Sequence, residues 1–221
     1  MKRISAVLIL IVSTLLMACA GPAPTPEPGM KIIDHGWGQE MQVATDVDWE
    51  RYTKVVLHEA PVAFRENWRR DQERLRGRAI RDEDVERIKE SVSDQLSRVM
   101  FKTLTESSDY ELTGETGDGV MHFQPNIVDL DVEAAGWIES SILESLPDTR
   151  GSMTIEMVIR DSVTDKLLAV AWQNQSDPLG GEMGMTLSVN NAVAFRSMSQ
   201  IWFNWLLEQL EKAAENSTGA K

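Results

Sequence analysis

The chain has 221 residues and a formal net charge of −13, with 35 acidic side chains against 22 Lys and Arg. That balance disfavours nonspecific binding of nucleic acid or of bare anionic lipid, because both rest on neutralising phosphates with Lys and Arg. A hydrophobic share of 42% and a mean hydropathy of −0.26 belong to a globular chain of a length compatible with one domain.

The first element is an address rather than a piece of the fold. Met1-Lys2-Arg3 is followed by an apolar run from Ile4 to Met17 and then by Ala18-Cys19-Ala20-Gly21. A basic start, an apolar segment of about 7–15 residues and a small residue before the cut make a secretory signal. The run is too short for a mature spanning helix, which needs about 20 apolar residues. Leu16-Met17-Ala18-Cys19 resembles the bacterial lipobox, which implies cleavage before Cys19 and acylation of that residue. Cys19 is the only cysteine, so no intramolecular disulfide is possible. Several acyl chains on one residue anchor stably, at about 0.8 kcal/mol per buried CH₂. Losing Lys2 and Arg3 with residues 1–18 takes the mature charge to −15. Ala20 replaces the Asp that commonly retains such proteins at the inner membrane, so the periplasmic side of the outer membrane is the expected location. From Gly21 to Gly29 proline stands at every second position between Pro22 and Pro28, an extended spacer that reaches about 3.1 Å per residue.

Met30 to Trp49 shows no clear period and is expected to be irregular. Tyr52 to Glu59 is β-rich and ends before Pro61, which predicts a first strand. Phe64 to Arg81 is polar and rich in arginine. Asp82 to Leu104 carries Val85, Ile88, Val92, Leu96, Val99, Met100 and Thr103 at steps of three or four, with Asp82, Glu83, Asp84 and Glu86 at the positive helix start. Tyr110 to Thr113 is a short strand and Gly114 to Gly119 a turn. Val120 to Val132 is a long strand whose Pro125 predicts an edge or a bulge. Ser152 to Arg160 alternates, Asp161 to Asp165 turns, and Leu167 to Gln173 returns. A second helix is expected from about Asn191 to Ala213, with 214–221 as a frayed tail. The order predicts an α+β two-layer domain over 49–213, with two main helices on one face of a largely antiparallel sheet of about five strands. Residues 19–48 are left as the acylated cysteine, linker and irregular segment.

Three stretches carry a family likeness: Trp49-x-x-Tyr52-x-Lys54-Val55, the acidic helix start at Asp82, and Asp161-Ser162-Val163-Thr164-Asp165-Lys166-Leu167-Leu168-Ala169. On these the chain resembles a bacterial lipoprotein family catalogued as domain of unknown function 3313, over roughly Asp46 to Leu210. The family often has Thr-Gly-Glu where this chain has Thr164-Asp165-Lys166. The resemblance implies an envelope lipoprotein and brings no catalytic residue with it.

Signals of chemistry are sparse. His35, His58 and His122 lie far apart without a paired spacing, and a zinc site would need them to converge with carboxylates. Gly180 to Gly184 lacks the Gly-Lys-Ser/Thr of a phosphate loop, and no Gly-x-Ser-x-Gly elbow occurs. No metal, cofactor or catalytic residue is expected. Arg69, Arg70, Arg74, Arg76 and Arg78 form a candidate anion patch, since the guanidinium fork suits phosphate and carboxylate; the alternative is a solvated helix laced with ion pairs. On the second helix Phe195, Met198, Ile201, Trp202, Phe203, Trp205, Leu206, Leu207 and Leu210 cover an arc of about 240°, wider than one sheet face needs. The last three strands predict an up-down-up meander, so that the connections 133–151 and 176–190 leave from one end. Their apolar Trp137, Ile138, Ile142, Leu143, Met183 and Met185 make a candidate partner surface.

The expectation is therefore a noncatalytic, lipid-anchored envelope module that binds or helps assemble a protein or lipid partner. A carrier with an apolar pocket between helices and sheet is the alternative, and an acid/base hydrolase a weaker one.

Overall fold

A computed structural model describes residues 28–36, 38–132, 152–176 and 191–218. The strands are β1 (Met30–Gly36), β2 (Gln39–Ala44), β3 (Lys54–Leu57), β4 (Val62–Phe64), β5 (Glu111–Leu112), β6 (Val120–Asp131), β7 (Ser152–Asp161) and β8 (Leu167–Ser176). The helices are α1 (Trp68–Arg76), α2 (Asp82–Ser107) and α3 (Asn191–Thr218), with a 3₁₀ turn at Trp49–Arg51. The class is α+β, as expected, but the sheet has eight strands and is mixed. Its order is β1-β2-β8-β7-β6-β3-β5, with β4 on β6 beyond the end of β3.

The departure from a largely antiparallel five-stranded sheet has two causes. First, the segment expected to be irregular holds a hairpin. β2 alternates Glu40 and Gln42 with the fully buried Met41 and Val43. It pairs with β8 from Gln39↔Gln173 to Val43↔Ala169, and β1 closes that edge. Second, α1 and α2 carry the chain back between β3 and β6. A helical crossover of that kind makes neighbours parallel, and β3 lies parallel to both β6 and β5.

Pro125 is not on an edge strand, because β6 is interior. Backbone groups alternate sides along a strand. Phe123 accepts from His58 N–H and Ile127 donates to the Pro61 carbonyl, both 2.9 Å, so the missing N–H of Pro125 would face the gap between β3 and β4. Proline therefore costs no ladder bond there. The irregularity of β6 comes later, at Asp129 (φ 52°), where its register with β7 shifts between Val128 and Asp131.

One face of the sheet supports the core. β7 alternates throughout, sending Met153, Ile155, Met157 and Ile159 inward beside Met121, Phe123 and Ile127 of β6. α2 meets them with Ile88, Val92, Leu96 and Met100, and α3 with Trp202, Phe203, Leu206 and Leu210. The start of α2 is fixed by Asp84, whose carboxylate accepts the Arg81 N–H beside acidic Asp82 and Glu83. The wide apolar arc of α3 is spent inside the domain. Trp205 donates its indole N–H to Asp34 of β1 at 2.7 Å, and Gln200 reaches Thr103 of α2 at 2.6 Å. Only Ile201 of that arc is well exposed, at 55%. The tail expected to fray continues α3 to Thr218, since Ala213 is buried and Ser217 bonds back to the Ala214 carbonyl.

Candidate binding surface

Strand direction gives the sheet two unlike ends. Met30 and Ala44, Lys54 and Val120, and Met121 and Asp161 are paired at the first. Gly36 with Gln39, and Asp131 with Ser152 and Ser176, stand at the second. The spacer enters at the first end, through Met30. The connections 133–151 and 177–190 leave from the second, because β6, β7 and β8 form the expected meander.

The first end is a structural lock built by the residues that carry the family likeness. Asp161 is 4% exposed. Its Oδ1 accepts the N–H groups of Val163 and Thr164 and the Thr164 hydroxyl, and its Oδ2 accepts the Tyr52 phenol at 2.8 Å. Burial opposes ionisation of this carboxyl, but those four donors, the Thr164 N–H foremost, outweigh it and hold its pKa at about 2. Burial and the bond to Asp161 push Tyr52 up to about 12. Trp49 packs near Tyr52, with ring centroids 6.3 Å apart. Gly119 lies against this corner with φ +73°; a Cβ there would fall 2.6 Å from the Arg51 carbonyl oxygen. The signature therefore staples the 3₁₀ turn to the β7–β8 hairpin, and both carboxylate oxygens of Asp161 are engaged with the chain itself.

The second end is a rigid root for the long connections. Trp68 stacks on Phe64, 3.8 Å between centroids, and donates its indole N–H to the Val132 carbonyl at 2.7 Å. Arg65 bridges Asp131 (2.6 Å) and Asp71 (2.9 Å). The last described residue of that stretch, Val132, is thereby clamped by β4 and α1. The candidate partner residues Trp137, Ile138, Ile142, Leu143, Met183 and Met185 lie outside the described residues, as does Cys19.

Most of the candidate anion patch is engaged by the chain itself. Arg69 is engaged by Glu73, Asp82 and the Ile80 carbonyl, and Arg70 lies 3.6 Å from Asp71. Arg76 and Arg78 also have partners, while Arg74 is exposed. Asp71, Glu73 and Asp82 thus pair with Arg70 and Arg69 across α1 and the turn that follows it. Within α1 the pair at i, i+4 is Arg69 with Glu73.

The other face of the sheet carries a row that the linear sequence hides. His35, Glu40, Trp172, Glu156 and Asn126 are cross-strand neighbours on β1, β2, β8, β7 and β6. Glu40 is 4% exposed and is held by His35 Nδ1 (3.2 Å) and Gln42 Nε2 (2.7 Å); Asn126 donates to Glu156 at 3.0 Å. In the next row Val170 and Val158 stand side by side between Gln42 and Gln124. His58 and His122, 64 positions apart in sequence, meet here through the parallel register of β3 with β6. Among the described residues no group of three or more His, Cys, Asp or Glu is placed to hold a metal. Between the helices and the sheet the core is filled by Trp202, Phe203, Phe123, Met41 and Met100 at 0% exposure, and a cleft beside the end of α3 is lined by Lys31, Val43, Trp49, Ala213 and Asn216.

The fold is thus that of an α+β domain with a packed helical face, a partly exposed sheet face and a stapled end. The chain belongs to the family described as "Protein of unknown function (DUF3313)", whose model matches residues 41–195. No curated protein matches it. Among solved structures it is similar to a PelC dodecamer from Paraburkholderia phytofirmans, at 7% identity and TM-score 0.36 over 73% of this chain and 92% of that one. It is also similar to a putative neuraminyllactose-binding hemagglutinin homolog from Helicobacter pylori, at 11% identity and TM-score 0.33 over 77% and 92%. Likenesses this distant carry no argument about the site. No helix among the described residues is long and apolar enough to cross a membrane.

Proposed function

We propose that the chain is an acylated lipoprotein on the periplasmic side of the outer membrane, and that its domain is a noncatalytic binding or assembly module for an envelope protein. The observation that carries this reading is the placement of Cys19. It follows the apolar run directly and precedes Met30, the first residue of β1, by eleven positions rich in proline. At about 3.1 Å per residue the spacer tethers the domain within roughly 30 Å of the bilayer. It joins the sheet at the stapled end, so the clamped root of the two long connections lies at the far end from the tether. A rigid element that presents loops away from its anchor suits recognition of a partner.

The test has two arms in intact cells. Mass spectrometry of the mature protein is expected to find acyl groups on Cys19, and Cys19→Ser is expected to release the domain from the membrane fraction. Crosslinking is expected to capture one recurring envelope protein. Substituting Trp137, Ile142, Met183 and Met185 by serine or glutamine is expected to abolish that capture without unfolding the domain. An unmodified N-terminus at another residue ends the anchoring proposal; capture that survives the quadruple variant ends the assignment of the surface.

A further inference from the structure

Two of the three histidines meet on the partly exposed sheet face. His58 follows β3 and His122 stands in β6, with ring centroids 4.8 Å apart and planes at 65°. The Nε2 atom of each ring is buried and has no hydrogen-bond partner. An imidazole nitrogen in that position tolerates the neutral ring far better than the charged one, which would bury an uncompensated N–H⁺. Burial, and next the His122 ring, lower the pKa of His58 from its ordinary value.

The charged groups around the pair do little to offset a proton. Arg160 of β7 is paired across from His122 and turned to Asp165 at 3.6 Å. Lys54, at the start of β3, lies 3.5 Å from Glu111 of β5. Glu156, two rows along β7, is bonded to Asn126. Glu59 is exposed beside His58, and with Lys89, Glu90 and Asp94 of α2 it borders an open groove along Glu59–Val62. The surrounding cations and carboxylates are therefore paired with one another, bonded to Asn126 or in solvent.

His58 begins the connection that carries β3 into β4 and α1. Besides the β4–β6 ladder, backbone bonds from His58 N–H to Phe123 (2.9 Å), Ile127 N–H to Pro61 (2.9 Å) and Arg65 N–H to Leu130 (3.1 Å) hold that connection to β6. We propose that His58, packed on His122, is a pH-sensitive latch, which holds the 58–65 connection on β6 while the His58 ring is neutral and loosens it on acidification. The sign follows from linkage. A group whose pKa is lowered in the closed state takes up its proton on opening, so closure is fully favoured above about 6.5 and weakens as the pH falls below it. If the His58 ring stays neutral when closed and titrates near 6.5 when open, the opening constant rises by about tenfold at pH 5.5. The latch does not depend on acylation or on a partner, so it stands or falls separately from the proposed function.

Amide hydrogen exchange on the purified full-length mature protein tests it. Between pH 7.5 and 5.5, after correction for the intrinsic exchange rate, protection of the His58, Ile127 and Arg65 amides is expected to fall about tenfold. The Met157 amide, which faces β8 opposite Ala171, is expected to hold. His122→Gln and His58→Gln should each remove a large part of the fall. Protection that is independent of pH, or an undiminished fall in both variants, overturns the proposal. Proton NMR titration of the wild-type rings gives a reading that needs no variant to fold: a His58 midpoint well below 6.5 supports the latch, and one at or above 6.5 overturns it.

Discussion

Replacing Asp161 by asparagine tests whether the family signature works as a charged staple. The carboxylate is held at about 2 against an ordinary 3.8, and at 1.36 kcal/mol per unit that difference is worth about 2 kcal/mol of folding stability. The side chain is only 5% exposed, so solvent screening discounts this little. The stability is present in full above pH 3.8 and is lost as the pH falls toward 2, because a protonated Asp161 no longer favours the folded state. Asparagine keeps the Oδ1 position that accepts from Val163 and Thr164, but it turns an amide nitrogen toward the Tyr52 hydroxyl, which must then accept rather than donate. Urea unfolding of the Cys19→Ser protein, which carries no lipid, should show the variant weaker by about 2–3 kcal/mol at pH 7. The gap should shrink by more than 1 kcal/mol at pH 2.5. A gap of the same size at both pH values, or none at pH 7, refutes the charged-staple account.

Trp202→Ala, at a fully buried position of α3, is expected to cost about 3–5 kcal/mol, read as a lower urea midpoint; an unchanged midpoint would move that helix face to the surface. Gly119→Ala forces a left-handed non-glycine residue and drives a Cβ to 2.6 Å from the Arg51 carbonyl, so thermal unfolding should show a loss of at least about 1–2 kcal/mol. Arg65→Ala removes the bridge between Asp131 and Asp71 and is expected to cost about 1–3 kcal/mol. The exposed Arg70→Ala should stay within about 0.5 kcal/mol, and equal effects of the two would deny the clamp at the root of β6.

The elements with a strong local period were legible. Asp82 opens a helix because its acids suit the helix start and its apolar residues recur at three and four. β6, β7 and β8 alternate, with a turn of Asp, Ser and Thr between the last two, and this suffices for a meander. The burial of Trp202 follows from the same periodicity. The β1–β2 hairpin was less legible: Glu40-Met41-Gln42-Val43 does alternate, but over too few residues to stand out beside Asp34 and His35. Fading periodicity also concealed that α3 runs on to Thr218.

Other features were never local. Nothing near Pro125 says that β3 ends and β4 begins beside it, so a residue that reads as an edge signal sits in the interior of the sheet. The signature residues Tyr52 and Asp161 are legible as a likeness, yet their bond joins positions 109 apart. The arginines looked available in sequence because ion pairing depends on the turn between α1 and α2 that brings Asp82 to Arg69. His58 and His122 converge only through the parallel register that the α1–α2 crossover imposes. Sequence by itself determined the kind and facing of the periodic elements, because a side chain's direction follows from the backbone period. Tertiary structure alone decided which strands pair, in which direction, and which distant charges and rings meet, because those choices rest on burying one shared core rather than on any local preference.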